Sequence, residues 1–256
     1  MRGGVIRRIQ SVLVLCVAFL SVLGPQRSFA GPYTTPEVLP VHTWGGFYLG
    51  ANLGGAWGST SATDNNGYNT AGDYWSAAPS GFTGGVQLGY NWQVGPVLYG
   101  LEGDLGELGL AGSATSAFIP FIYDTSTSTD IDFYLTLRGR LGILFNGWLL
   151  YGTLGYIGAD TTVSVVDACT FPPCGPLSIN AQNESFRNGW TIGGGFETVL
   201  SGQWTVKVEY LYFDFGSINV SGVSNGNTYS WSLDTDGSLV RAGINYQFGW
   251  MNGFYN

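Results

Sequence analysis

Apolar and polar residues alternate with a period of two in eight segments of this chain. In 81–93, for example, Val86, Leu88 and Tyr90 alternate with Gln87 and Asn91. Such alternation over about ten residues is typical of a β-strand with one apolar face. We therefore predict eight strands, at 44–58, 81–93, 97–108, 131–145, 148–159, 187–199, 203–215 and 238–248.

The connections between these segments alternate in length. Three are short, and one of them, Asn146-Gly147, is typical of a type I′ hairpin turn. The other four have roughly twenty residues each, far more than an ordinary connection, and are rich in Ser, Thr, Asn and Gly. Short turns on one side and long loops on the other favour an all-β fold, an eight-stranded antiparallel transmembrane β-barrel with both chain ends in the periplasm.

Composition favours the membrane over water. Only 10% of the residues are charged, against about 25% in a typical soluble domain. The alternative is a soluble β-sandwich or a lipocalin-like barrel, but those folds keep polar residues outside. Here the small polar face suits a narrow lumen filled with side chains.

The ends of the chain predict processing and flanking segments. Arg2, Arg7 and Arg8 precede an apolar stretch at 12–23, and Ser28-Phe29-Ala30 resembles a cleavage site. We expect a cleaved signal peptide at 1–30, with an uncleaved membrane anchor as the alternative. A periplasmic leader at 31–43 and the barrel at 44–248 come next, and 249–256 either extend the last strand or form a tail.

Removal of residues 1–30 leaves five basic and 17 acidic residues, a net charge of −12. The absence of a basic stripe argues against nucleic-acid binding. Acidic loops could hold divalent cations, or meet lipopolysaccharide through them. The simpler interpretation is that these acids only solvate the loops.

Charged residues also occur on the polar faces of the strands. Four acids and four bases share lumen parity, and a matched set offsets the cost of burying charge. We expect Glu102 and Asp104 to pair with Arg138 and Arg140, and Glu209 with Arg241. This network either gates a narrow water path or, as we prefer, only plugs and stabilises the barrel. The predicted lumen charges are Glu102, Asp104, Arg138, Arg140, Glu197, Lys207, Glu209 and Arg241.

Aromatic residues occur near the strand ends, as in the girdles where barrels meet the two membrane interfaces. Trp75 and Trp231 are assigned instead to loops, where an exposed ring could stack on carbohydrate. The predicted girdle residues are Trp57, Tyr90, Trp92, Trp148, Tyr156, Trp190, Trp204, Tyr212, Tyr246 and Phe248.

Catalytic chemistry is not expected. The only histidine, His42, precedes the first strand, so no Ser-His-Asp triad can form on the outer face. No metal site, cofactor or dinucleotide motif is predicted. Cys169 and Cys174 could form a local disulfide in an oxidising compartment; a reduced or metal-binding pair is the alternative.

Several stretches resemble a known family. Trp44-Gly45-Gly46-Phe47-Tyr48-Leu49-Gly50, 84–92, 204–216 and 240–248 are similar to small proteobacterial outer-membrane proteins with an OmpA-type barrel, the porin-family or surface-antigen group. The resemblance covers about residues 44 to 248. It implies a barrel in the outer membrane of a Gram-negative bacterium, inserted by the barrel-assembly machinery with periplasmic chaperones.

The same resemblance implies surface exposure, contact with outer-membrane lipid and lipopolysaccharide, and a structural role in envelope integrity. The alternatives are a small channel for ions or solutes, or a loop-borne adhesin or ligand-binding protein. Some relatives are credited with binding haem, but no shared motif carries this to particular residues here. The sequence leaves the oligomeric state open.

Overall fold

A computed structural model of the chain describes residues 43–69, 71–116, 125–167 and 178–248. The predicted signal peptide, nearly all of the leader, the segment after Phe248, and His42, Cys169 and Cys174 lie outside these residues. No helix in the described part is long and apolar enough to cross a membrane. The strands are β1 (Gly46–Asp64), β2 (Tyr74–Ala77), β3 (Ser80–Val94), β4 (Val97–Thr115), β5 (Ser126–Phe145), β6 (Trp148–Asp167), β7 (Ile179–Ser201), β8 (Trp204–Ser224) and β9 (Asn227–Phe248).

The antiparallel sheet closes because β1 pairs with both β3 and β9. The short β2 pairs with the end of β1, on the same side as β3. β2 and β3 are separated at Pro79, which has no N–H to donate; its carbonyl accepts a hydrogen bond from the Gly58 N–H at 2.8 Å. Eight strand positions therefore form the ring. This confirms the predicted barrel, and β2 is an addition that the sequence did not predict.

The register determines how far the strands tilt. Following paired residues once around the ring from Gly46 returns to β1 at Ala56. The start and the end of this path therefore differ by about ten residues along β1. The strand tilt follows from this stagger, at ~3.3 Å per residue, and from the width of eight strands spaced ~4.8 Å apart. The resulting tilt is roughly 40°, within the range of known barrels.

One predicted loop is wrong. β8 and β9 continue to Ser224 and Asn227 and are joined by a two-residue turn instead of a loop of about twenty residues. Asn225 and Gly226 have φ angles of 48° and 78°, as a type I′ turn requires. The predicted turn at Asn146-Gly147 has the same geometry, with φ angles of 48° and 80°.

Most other predicted strands also end too early on the loop side, because the two faces exchange polarity there; the exception is β3, which begins at Ser80, one residue before the predicted start. Within the predicted bounds the outward residues are mainly apolar, and the inward ones comprise the polar and charged residues together with apolar ones such as Leu149 and Ile157. Beyond them the order reverses: Val163 and Val165 on β6 are buried in the interior, while Thr162 and Ser164 lie on the outer face.

The predicted girdle residues all have outward parity and lie at two levels of the barrel. The register places Tyr90, Trp92, Trp148, Trp204, Tyr246 and Phe248 at the turn side, and Trp57, Tyr156, Trp190 and Tyr212 at the opposite level. Phe47 at the first level and Trp57 at the second are about 25 Å apart along the barrel axis, given the strand tilt. That distance matches the apolar band of an outer-membrane barrel.

Between the two aromatic levels the outer wall is apolar and uncovered. Phe82, Leu150 and Leu141 are 88%, 69% and 64% exposed. An apolar surface of this extent around a whole barrel is incompatible with water. The outer wall therefore has the height and the chemistry of a membrane-spanning surface.

Candidate functional site

The interior of the barrel holds all eight charged residues that the sequence placed in the lumen. Alternation along β4, β5, β7, β8 and β9 turns these side chains inward, and each is at most 3% exposed. They comprise four acids and four bases, so the group is neutral. The register places them near mid-height between the two aromatic levels, where no bulk water lies beyond the wall.

Arg138 is the centre of this network. Its Nη2 donates to Glu102 and, at 2.7 Å, to Asp104, and its Nη1 donates to Glu209 at 3.0 Å. Thr153 accepts a further bond from Nη1 at 3.1 Å. One guanidinium thus joins three carboxylates from two strands, which uses its planar fork of donors fully.

Arg241 and Lys207 complete the neutralisation of the same carboxylates. Arg241 Nη2 lies 2.6 Å from Glu209 and 2.9 Å from Asp104. Lys207 Nζ donates to Glu102 at 2.9 Å. The expected pairing of Glu209 with Arg241 is present, as is that of Arg138 with Glu102 and Asp104.

Arg140 does not pair with Glu102 or Asp104, so that expectation is wrong. Its Nη2 donates to Glu197 on β7, two strands away across the lumen. The guanidinium lies 3.8 Å from the centre of the Tyr151 ring, a cation–π contact. Asn245 also donates to Glu197, at 2.8 Å.

Tyrosine hydroxyls link the parts of the network. Tyr48 donates to Glu102 at 2.6 Å and accepts from Arg140 at 3.4 Å. Its ring crosses Gly89, where a Cβ atom would lie 2.2 Å from the Tyr48 Cζ. Tyr151 donates to Glu209 at 3.2 Å, and Tyr134 accepts from Arg241 at 3.2 Å. The lumen parity of these tyrosines was readable from the sequence, but their partners across the barrel were not.

Apolar layers lie on both sides of the network. Toward the end that holds the turn at Asn146-Gly147, Trp44 packs with Leu98, Leu149 and Tyr151. Toward the opposite end is a larger cluster that includes Leu211, Phe213, Ile157, Leu108 and Leu239, and these five side chains are at most 1% exposed. Buried side chains therefore occupy the lumen at three successive levels.

A third apolar cluster fills the barrel beyond the outer aromatic level. Trp231 and Trp75 lie in it, 0% and 6% exposed, with Val163, Ile179 and Val220. The sequence assigned both tryptophans to exposed loops. They are instead strand residues that face inward, so neither presents a ring for carbohydrate stacking.

Other chemistry in the lumen is limited. Among the described residues, no group of three His, Cys, Asp or Glu side chains could hold a metal ion. The carboxylates Glu102, Asp104, Glu197 and Glu209 are all held by cations. Cys169, Cys174 and His42 lie outside the described residues, so the disulfide stays a prediction.

Comparison with known proteins gives consistent matches over most of the chain. A family model described as "Outer membrane protein beta-barrel domain" matches residues 13–248. The chain is similar to the 31 kDa outer-membrane immunogenic protein of Brucella melitensis, with 31% identity over 225 residues, 84% of this chain and 89% of that protein. It is also similar to the 22 kDa outer membrane protein of Rhizobium leguminosarum, with 33% identity over 213 residues, 82% of this chain and 81% of that protein. Among solved structures, the outer membrane protein OprG of Pseudomonas aeruginosa matches with a TM-score of 0.48 and 14% identity, over 80% of this chain and 96% of that one.

Proposed function

We propose, from the premise that the chain belongs to the outer membrane protein beta-barrel domain family, that it is a structural barrel that supports the envelope and does not conduct. Like its relatives it is an outer-membrane protein of a Gram-negative bacterium. The curated relatives bear the names of outer-membrane and immunogenic proteins, not of enzymes. A non-catalytic role is part of the proposal.

The observation that carries this proposal is the neutral ion-pair network between two apolar layers. A water path would have to separate Arg138 from three carboxylates, and breaking a buried pair costs about 3–5 kcal/mol. It would also have to wet the layer around Phe213, and hydrophobic constrictions close pores by excluding water. Both barriers lie in series along the same lumen.

Support of the envelope is tested by complementation. A strain without this chain should take up a hydrophobic dye faster than wild type, and the full chain should restore the barrier. A variant in which residues 117–124 are replaced by a Gly-Ser linker should restore the dye barrier equally, because the barrel itself supports the envelope. Unchanged dye uptake in the deletion strain would contradict the proposal. Restoration only by the chain that keeps residues 117–124 would favour a surface-binding role instead.

We also propose that the outer wall meets the phosphates of lipopolysaccharide through divalent cations. All five Lys and Arg residues of the described chain are buried, at most 4% exposed. The exposed charges on its strands are carboxylates at or beyond the outer aromatic level: Glu107, Asp130, Asp132, Asp160, Glu184 and Asp234. Since they are spread over five strands, a cation would be shared between a carboxylate and a lipid phosphate.

The barrel-assembly machinery and periplasmic chaperones are the proposed partners during biogenesis. β9 supports this in part, because its aromatic Phe248 pairs with Phe47 at the turn-side aromatic level, although eight further residues follow Phe248 in the sequence. Replacement of Phe248 by Asp should lower the amount of assembled barrel in the outer membrane. An unchanged amount would contradict a role for this end of β9.

A further inference from the structure

β7 has one unpaired edge outside the membrane. On one side it pairs with β6 along 179–198. On the other side it pairs with β8 only from Trp190 to Ser201. Among the described residues, nothing forms a ladder with the second edge of 179–189. Since Trp190 belongs to the outer aromatic level, this free edge lies beyond the apolar band, on the extracellular side.

The edge is free because β8 changes direction. Its pairing with β9 shifts between Asp214 and Ser217, and Gly216 there has a φ of 63°. Such a bulge bends a strand and re-aims its remaining residues. Beyond it β8 stays paired with β9 and packs Val220 against Ile179 and its neighbours inside the barrel. The β8–β9 hairpin therefore contacts the inner face of β7 and leaves its edge unpaired.

Arg187 fills the space between β7 and β8 only near Trp190, where the two strands separate. Its Nη2 donates to the carbonyls of Phe215 and Gly216, at 3.1 and 2.6 Å, and its Nη1 donates to Thr235 at 3.0 Å. These bonds satisfy the carbonyls that β8 no longer offers to a strand. Within the described ranges of the chain, no side chain does the same for the facing backbone of β7 at 180–186.

Apart from Arg187 at its base and the charge of Glu184, the free edge lacks the features that usually protect one. Exposed edges are commonly blocked by Lys, Pro or very short strands, whereas 179–189 contains neither Lys nor Pro and spans eleven residues. Its outward side chains include Gln182, Glu184 and Phe186, all exposed. The neighbouring β6 adds the exposed Asp160, which lies opposite Phe186.

We propose that this edge of β7 binds an extended basic peptide segment of a partner protein as an added β-strand. Backbone hydrogen bonds to an unpaired edge provide affinity in this mode of recognition. Charge selects the sequence, because Glu184 lies on β7 itself, Asp160 lies on the neighbouring β6, and every described Lys and Arg is buried.

The test uses a fluorescent acetylated peptide of four Lys-Val repeats and the full chain in a zwitterionic detergent without lipopolysaccharide. Fluorescence anisotropy should show saturable binding. A Glu-Val peptide should bind at least tenfold more weakly. A Lys-Val peptide N-methylated at every residue should also lose at least tenfold, because it keeps its charge and has no backbone donor.

Two matched variants separate the edge from general acidity. Glu184→Lys should raise the Kd at least tenfold. Asp130→Lys makes the same charge change on β5, which is paired on both sides at this position, and should raise it less than threefold. Equal losses in the two variants, equal binding of the N-methylated peptide, or no saturable binding would each overturn the proposal. Retained gel mobility shifts would show that both variants still fold.

Discussion

Replacement of Arg138 by Met should cost more stability than any other single change of a lumen side chain. The guanidinium holds Glu102, Asp104 and Glu209 in a site with no exposed surface. Methionine fills part of the volume but leaves these acids with only Arg241 and Lys207. We expect a loss of about 3–5 kcal/mol, the cost of breaking a buried ion pair.

The structure provides a compensating change and a matched control. Asp104→Asn restores neutrality, and its amide oxygen can still accept the hydrogen bond that Thr136 donates to Asp104 at 2.6 Å. The double variant should recover about 1–3 kcal/mol, as coupled neighbours do. Arg187→Met leaves two backbone carbonyls unpaired but no carboxylate, so it should cost about 1–3 kcal/mol.

The assay is urea unfolding of the refolded protein in phospholipid vesicles, followed by tryptophan fluorescence and by gel mobility without boiling. A loss below about 1 kcal/mol for Arg138→Met, the range of ordinary surface changes, would refute the network as a stabilising core. So would a double variant that is less stable than Arg138→Met alone.

Four further outcomes are expected from other parts of the structure. Leu88→Arg, on the outer wall between the aromatic levels, should destabilise the barrel by about 2–4 kcal/mol in urea unfolding, whereas Val223→Arg, beyond the outer level, should change the stability little. Equal losses of stability in the two variants would argue against the assigned bilayer position. Gly89→Ala should cost about 1–3 kcal/mol in the same assay, because its Cβ would displace the Tyr48 ring; wild-type stability would show that the ring does not cross this glycine in the membrane. Gly226→Val should increase protease cleavage at the β8–β9 turn while the boiled and unboiled gel mobilities stay distinct, since valine is strained at a φ of 78°; a resistant turn would contradict the hairpin. Chelation of divalent cations should release lipopolysaccharide from the purified protein, and retention at equal amounts would contradict cation bridging.

The inward and outward faces within the membrane were predictable from the sequence, because one strand suffices to read alternation. Arg138 and Glu102 share lumen parity and lie on neighbouring strands, so their contact was expected from strand order alone. Arg140 and Glu197 lie on strands separated by β6. Their contact depends on the stagger of the whole ring, which no single strand encodes.

The half of the barrel beyond the outer aromatic level was predicted less well, for a physical reason. The apolar outward face was the criterion for a strand, and it holds only where the wall meets lipid. Beyond Trp57 and Trp190 the wall meets water, so strands such as 217–224 have polar residues outside and Val220 inside. Their Ser and Asn content resembles that of a loop, although Asn225-Gly226 is a dipeptide typical of a type I′ turn.

Single-channel recording tests the closed lumen most directly. The full chain, with insertion verified by its unboiled gel mobility, is reconstituted in planar bilayers beside a porin that conducts. The account predicts no steady unitary steps at either polarity for this chain, because the Arg138 network and the Phe213 layer block the lumen in series. Reproducible unitary conductance from the unmodified chain would contradict it.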